Sequence, residues 1–325
     1  MAKNIAVVAG GNSSEYVISV QSGAMLAEEV SKAGYNMFLV KLKGAEWKAK
    51  LPDGRLVDVD KNDFSISIDA QKVKFDCALI AIHGTPGEDG MLQGYFDCLQ
   101  VPYTSCGVLA SALTFDKYAC KLFLNNFGIN TAKGILISKN EKWDVPHITS
   151  VVGFPCIVKP NASGSSFGVT KVDEENQLLG AIEHALTESN EVLIEQFISG
   201  TEVTNGVYVI DKEELVFPVT EIVSKTSFFD FEAKYNAALS EEITPARISD
   251  EITRKVQQTS LKIYKALNCK GIVRIDYIIN DGAPYFLEVN TVPGMSPNSI
   301  IPKQIKTMGL TVAEVYKKII DSICR

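Results

Sequence analysis

Residues 271–290, GIVRIDYIIN-DGA-PYFLEVN, leave the chain little choice of fold. Two apolar runs rich in β-branched and aromatic residues flank a turn signal, and such a pair reads as a β-hairpin. Side chains alternate faces along a strand, so Arg274 shares a face with Asp276, and Glu288 with Asn290. Asp276, flanked by Ile275 and Tyr277, and Glu288 then sit on neighbouring apolar strands, where two carboxylates repel and lose solvation. A hard divalent cation resolves both problems. Mg²⁺ takes oxygen ligands, keeps some waters and is typically completed by substrate phosphates. The alternative for the same residues is an ion pair between Arg274 and a carboxylate that supports the hairpin. Zinc is disfavoured, because no histidine or cysteine is near.

The rest of the chain reads as three α/β or α+β units, tightly joined. Its 325 residues exceed one ordinary core. NIAVVAGG (4–11), a helix over 19–33, and the apolar runs 35–42 and 77–84 alternate strand with helix, which predicts a parallel sheet covered by helices. On such sheets ligands sit at the carboxyl ends of strands, so GGNSSE (10–15) and HGTPGEDG (83–90) face a cleft. The expected units are 1–103, 104–190 and 191–325. The second holds a helix over 112–128, a strand over 153–160, the loop NASGSSFG and a returning strand over 169–172. The third holds strands over 192–200, 204–210 and 214–222, a helix over 250–267, the hairpin and a closing helix over 311–323.

Neither glycine-rich loop matches a familiar phosphate fingerprint. GGNSSE lacks the third glycine and the later acidic residue of a dinucleotide site, and SGSSFG (163–168) has no lysine after it. Strand, glycine-serine loop, strand describes a hairpin that can fold over a triphosphate with backbone N–H groups and hydroxyls, or a plain surface hairpin. Lys159 lies in the apolar strand before the loop, where a lysine is rare without a partner; Lys117, between Phe115 and Tyr118 on a helix, raises the same question. Either side chain can also snorkel to the surface.

With these pieces together, the sequence resembles the ATP-grasp ligases, and among them the D-alanine–D-alanine ligases. HGTPGEDGMLQG (83–94), VKPNASGSSFGV (158–169), FEAKY (231–235), RID (274–276) and LEVNTVPGM (287–295) carry the resemblance, which covers nearly the whole chain. It implies a three-lobed α/β architecture with ATP held between the last two lobes, and ligation of two D-alanines for peptidoglycan synthesis. The cofactors implied are ATP and Mg²⁺, with Mn²⁺ as a substitute. Transferred residue by residue, Glu15 would bind the ammonium of the first D-alanine, with His83 assisting. Ser165 and Tyr235 would close a triad with Glu15 over the substrates. Lys117 and Lys159 would hold the nucleotide phosphates, and Lys234 would approach the γ-phosphate. Glu195, Gln196 and Ile198 match the adenine hinge and Glu202 the ribose ligand. Asp276, Glu288 and Asn290 match the magnesium ligands. Arg274 and the Gly294 N–H match the oxyanion hole, and Ser299 and Ile300 the site for the second carboxylate. Two positions depart from the family pattern: Gln196 replaces a frequent lysine, and Val292 a serine or threonine. Tyr235 favours an amine over a hydroxyl as second nucleophile.

Other classes fit poorly. The net charge of -7, with no basic run, argues against nucleic acid. Seven cysteines with no C-x-x-C suit reduced structural thiols. No run approaches the ~18 apolar residues of a membrane span, and the N-terminal apolar run is shorter than a signal h-region. A cytoplasmic enzyme is expected, and the resemblance implies a homodimer. A related ligase taking D-serine as second substrate is the nearest alternative. A non-catalytic nucleotide-binding module would be expected to lack some of the charged residues that are all present here.

Overall fold

The computed structural model describes residues 2–164, 167–211, 213–224 and 240–324. Its first part contains β1 (Asn4–Gly10), α1 (Tyr16–Ser31), β2 (Asn36–Lys43), β3 (Glu46–Lys50), β4 (Leu56–Asp60), β5 (Ser65–Ile68), β6 (Gln71–Lys74) and β7 (Cys77–Ile80). They form one sheet in the order β6-β5-β4-β3-β2-β1-β7. Only β2-β1-β7 is parallel, so the expected parallel sheet is three strands wide. The four added strands are antiparallel and short, and β3, β4 and β6 carry charged residues at exposed positions. That half-solvated pattern is what antiparallel sheets permit and parallel ones do not.

Next come α2 (Met91–Leu99), α3 (Val108–Phe115) and α4 (Lys117–Asn125). The single helix expected over 112–128 is thus two helices. Asp116 breaks them: its backbone is extended, and its carboxylate caps α4 by accepting from the Ala119 N–H. Lys117 thereby becomes the first residue of a helix.

The second sheet comprises β8 (Gly134–Ser138), β9 (Cys156–Pro160), β10 (Thr170–Val172) and β11 (Glu191–Gln196), covered by α5 (Val145–Val152) and α6 (Leu178–Ala185). Its order is β10-β9-β11-β8, and β9 and β10 form the expected antiparallel hairpin around the glycine-serine loop. The strand that opens the third expected unit, β11, belongs here instead. It pairs with both β8 and β9, and Val192 and Ile194 fill this sheet's core.

The third sheet contains β12 (Thr201–Ile210), β13 (Glu213–Val216), β14 (Thr220–Ser224), β15 (Ser240–Ile243), β16 (Val273–Asn280) and β17 (Ala283–Asn290), with α7 (Asp250–Ala266) behind it. The run over 214–222 splits into β13 and β14 around Phe217–Val219. The β16–β17 hairpin forms as expected, with Asp281 and Gly282 both at positive φ, 47° and 72°. Val273, Ile275, Tyr277, Phe286 and Val289 point into one core with α4 and α7, so the alternate residues face the cleft. α8 (Ile300–Thr307) and α9 (Val312–Ile323) complete the chain and pack on α1 and β1.

Two seams weld the first sheet to the third. Val292, just past β17, is buried in the first sheet's core with Val8, Ile82 and Phe96. Gly271, just before β16, has φ +66°, and a Cβ there would lie 2.0 Å from the Thr104 carbonyl oxygen. Gly271→Ala is expected to cost roughly 2–4 kcal/mol, from the left-handed backbone plus a clash that only main-chain movement relieves. Its thermal midpoint should fall by several degrees, as differential scanning fluorimetry would measure. Among the described residues no helix is long and apolar enough to cross a membrane. The seven cysteines are free thiols, most of them buried.

Candidate active site

On the cleft face of the third sheet, register sets Asp276 directly opposite Glu288 and Arg274 opposite Asn290. The ladder slips between Asp276 and Tyr277, a bulge that re-aims side chains beside the paired carboxylates. Arg274 grips Asp276 with two bonds, Nε to Oδ1 at 2.9 Å and Nη2 to Oδ2 at 2.8 Å. Asn290 Nδ2 donates to Oδ2 at 3.0 Å, and Thr204 Oγ1, opposite Asp276 on β12, donates to Oδ1. The supporting ion pair that the sequence left open is therefore formed, and Glu288 stands beside it. Burial works against the charge on Arg274, but Asp276 and Glu288 more than offset it and raise its pKa above the ordinary guanidinium value.

The loop of the β9–β10 hairpin meets this face at Ser163. Lys117 Nζ donates to the Ser163 carbonyl at 2.5 Å and lies 3.7 Å from Glu288 Oε2, joining the loop to the carboxylate strand. Buried Asn161 fixes that geometry. Its Oδ1 accepts from the Tyr118 N–H at 2.9 Å, its carbonyl accepts from the Lys117 N–H, and its Nδ2 donates to the capping carboxylate of Asp116. Gly164 then passes so near Glu15 that a Cβ on it would lie 2.2 Å from Oε2. A side chain at 164 would have to displace that buried carboxylate. Thr114, Lys117, Gly164, Glu88, Glu288 and Asn290 line one cleft.

From the first sheet, His83 Nδ1 bonds the Val292 carbonyl at 2.9 Å and Nε2 meets Ser22 Oγ at 3.1 Å. A carbonyl only accepts, so Nδ1 carries a proton. Ser22 Oγ also accepts from the Met295 N–H at 3.4 Å. Glu88 accepts from the Gly84 N–H at 2.8 Å and the Val292 N–H at 3.2 Å. Burial, aided by the Glu15 carboxylate, pushes Glu88 up to about 8. Val292 is thus held by both backbone groups while its side chain fills a core. An apolar residue suits this position, which works through its main chain.

Behind the lid strand, Glu195 receives Lys159 on Oε1 at 2.5 Å and Lys121 on Oε2, all three side chains being buried. The sequence reading of Glu195 as an adenine contact misses this ion-pair role, and Lys121 altogether. Two lysines one helical turn apart, 117 and 121, were the available signal. Gln196 is exposed, and its N–H donates to the Lys133 carbonyl; Ile198 is half-buried just beyond it. Glu202 shares a face of β12 with Thr204. Gly294 faces Ser299, whose Oγ would sit 3.1 Å from an added Cβ; Ser299 precedes α8, which Ile300 opens, and its hydroxyl bonds Ser296 Oγ and makes no capping bond to the helix. Ser165, Lys234 and Tyr235 lie outside the described residues. Glu88 and Thr204 are further residues that sequence reasoning did not assign.

Two carboxylates and an amide make a sparse, hard oxygen set open to a cleft, which suits a cation completed by phosphate and water. Among the described residues no three His, Cys, Asp or Glu side chains form a richer cluster. A second sheet with a glycine-serine hairpin, set against a carboxylate-bearing third sheet, defines an ATP-grasp fold. The family models for the D-ala D-ala ligase N-terminus and C-terminus match residues 4–106 and 123–321. A D-alanine--D-alanine ligase of Bacteroides fragilis is 47% identical over 99% of both chains. The solved VanG D-Ala:D-Ser ligase of Enterococcus faecalis superposes with a TM-score of 0.88 at 32% identity, covering 99% of this chain and 100% of its own. The ligase of Bacillus anthracis solved with ATP gives 0.78 at 32%, covering 99% and 97%. The chain belongs to the D-alanine–D-alanine ligase family.

Proposed function

We propose that this chain joins two D-alanines, at the expense of ATP, through a D-alanyl phosphate, a step of peptidoglycan precursor synthesis. The observation that carries the reading is the meeting of Glu15, the lid and the Asp276–Glu288 pair at one cleft, in a chain 47% identical to a named ligase over its length. Glu15 holds the ammonium of the first D-alanine under Gly164, beside His83. The carboxylate of that D-alanine attacks the γ-phosphate, giving the acylphosphate and ADP. Lys117, Lys159 and Lys234 hold the phosphates; Glu195, Gln196 and Ile198 take the adenine and Glu202 the ribose. Asp276, Glu288 and Asn290 would hold Mg²⁺ or Mn²⁺, which when bound neutralises charge on the transferring phosphate. The amine of the second D-alanine, its carboxylate at Ser299 and Ile300, then attacks the acyl carbon. Arg274 and the Gly294 N–H stabilise the oxyanion, and phosphate leaves. Ser165 and Tyr235 complete closure, keeping water from the acylphosphate. The reading carries with it a cytoplasmic homodimer.

The test is ADP release with D-alanine alone, then with D-serine or D-lactate added. D-Alanine is expected to suffice. Turnover that needs D-serine would assign the second subsite to that substrate, the one for which the Enterococcus relative is named. No D-alanine-dependent turnover at all would overturn the reading.

A further inference from the structure

The Lys121–Glu195–Lys159 cluster carries a charge imbalance. Two ammoniums meet one carboxylate, so a buried group of three holds one surplus positive charge. Such a surplus is costly unless an anion completes it. The two lysines use different oxygens: Lys121 takes Oε2 and Lys159 takes Oε1. Departure of Lys159 therefore leaves the Lys121 pair intact. Their positions also differ. The Lys121 side chain is 5% exposed, on α4; that of Lys159 is 10% exposed, two residues before Asn161 opens the lid loop. Of the two, Lys159 is the one on the strand that runs directly into the loop.

We infer that Lys121 is a positioning residue: by holding Glu195 on its own, it releases Lys159 to the nucleotide phosphates. The inference rests on the nucleotide reading above and adds a residue to it. Electrostatics agree. Burial favours a neutral Glu195, yet Lys121 and Lys159 together hold it down to about 2. Burial brings Lys121 down to about 8 against the pull of Glu195, so its charge depends on that carboxylate. Without Lys121, Glu195 and Lys159 would form a closed neutral pair, and no surplus charge would remain for a phosphate.

The experiment compares ADP with Mg²⁺ against adenosine by titration calorimetry, on wild type, Lys121→Met, Glu195→Gln and the double variant. Lys121→Met should weaken ADP by about tenfold, roughly one charge-assisted contact, and leave adenosine within about twofold. The double variant, which lacks the carboxylate that captures Lys159, should regain ADP binding to the level of Glu195→Gln alone. A merely structural lysine would lower both ligands together and show no rescue. Should Lys121→Met be insoluble, Lys121→Gln, uncharged but able to bond Glu195, gives the same split. Unchanged ADP affinity, or equal loss of adenosine, overturns the inference. A wild type that binds neither ligand overturns the nucleotide reading itself.

Discussion

Glu288→Gln lowers the rate of D-alanine-dependent ADP release by about 10³-fold, the equivalent of several kcal/mol of transition-state charge stabilisation. The side chain keeps its shape and loses its charge. Glu288 is 29% exposed on the cleft face, and Asp276 keeps its bonds to Arg274, Asn290 and Thr204. The thermal midpoint should therefore stay within about 2 °C of wild type, since the amide keeps the shape and none of those bonds depends on the Glu288 charge. Steady-state kinetics over a Mg²⁺ titration, beside a melting curve, check both halves. Unchanged turnover at all Mg²⁺ concentrations would remove Glu288 from the metal set.

Arg274→Lys retains the positive charge and loses the planar fork that grips both oxygens of Asp276. One ammonium cannot bond Asp276 twice and still serve an oxyanion, so turnover should fall about 10²- to 10³-fold, the cost of one oxyanion donor. The loss should fall on the second half-reaction: phosphate appears faster than dipeptide, because the acylphosphate hydrolyses while waiting for the amine. Parallel assays of phosphate and of D-alanyl-D-alanine measure that ratio. A ratio that stays at one, with both rates lowered together, would place Arg274 in the first step instead.

The carboxylate hairpin was legible because Asp276, Glu288 and Asn290 interrupt otherwise regular apolar strands, so both the turn and the unusual residues stand out locally. The lid hairpin was legible for the same reason. What escaped depends on partners distant in sequence. Helical spacing runs on through Asp116, and the break there shows only once Asn161 is bonded to it. Strands such as EWKAK and QKVK are short, charged and exposed, and gain their ladders only from neighbours. Lys121 reads as an ordinary helix lysine until Glu195, 74 positions away, meets it. Glu88 lies in a motif that stands out on its own, yet its bond to the Val292 N–H, 204 positions away, could not be read from either segment.

The hold on Val292 bears on how such a chain can be recombined. The family models leave a gap between residues 106 and 123 that invites a cut there. Yet residue 292, far downstream, has its side chain in the core of the earlier part and both its backbone groups bonded to Glu88 and His83. In its packing, the turn beyond the carboxylate hairpin belongs with the first hundred residues. A hybrid of two relatives stays coherent only when that short turn travels with the lobe it plugs, whatever its place along the chain.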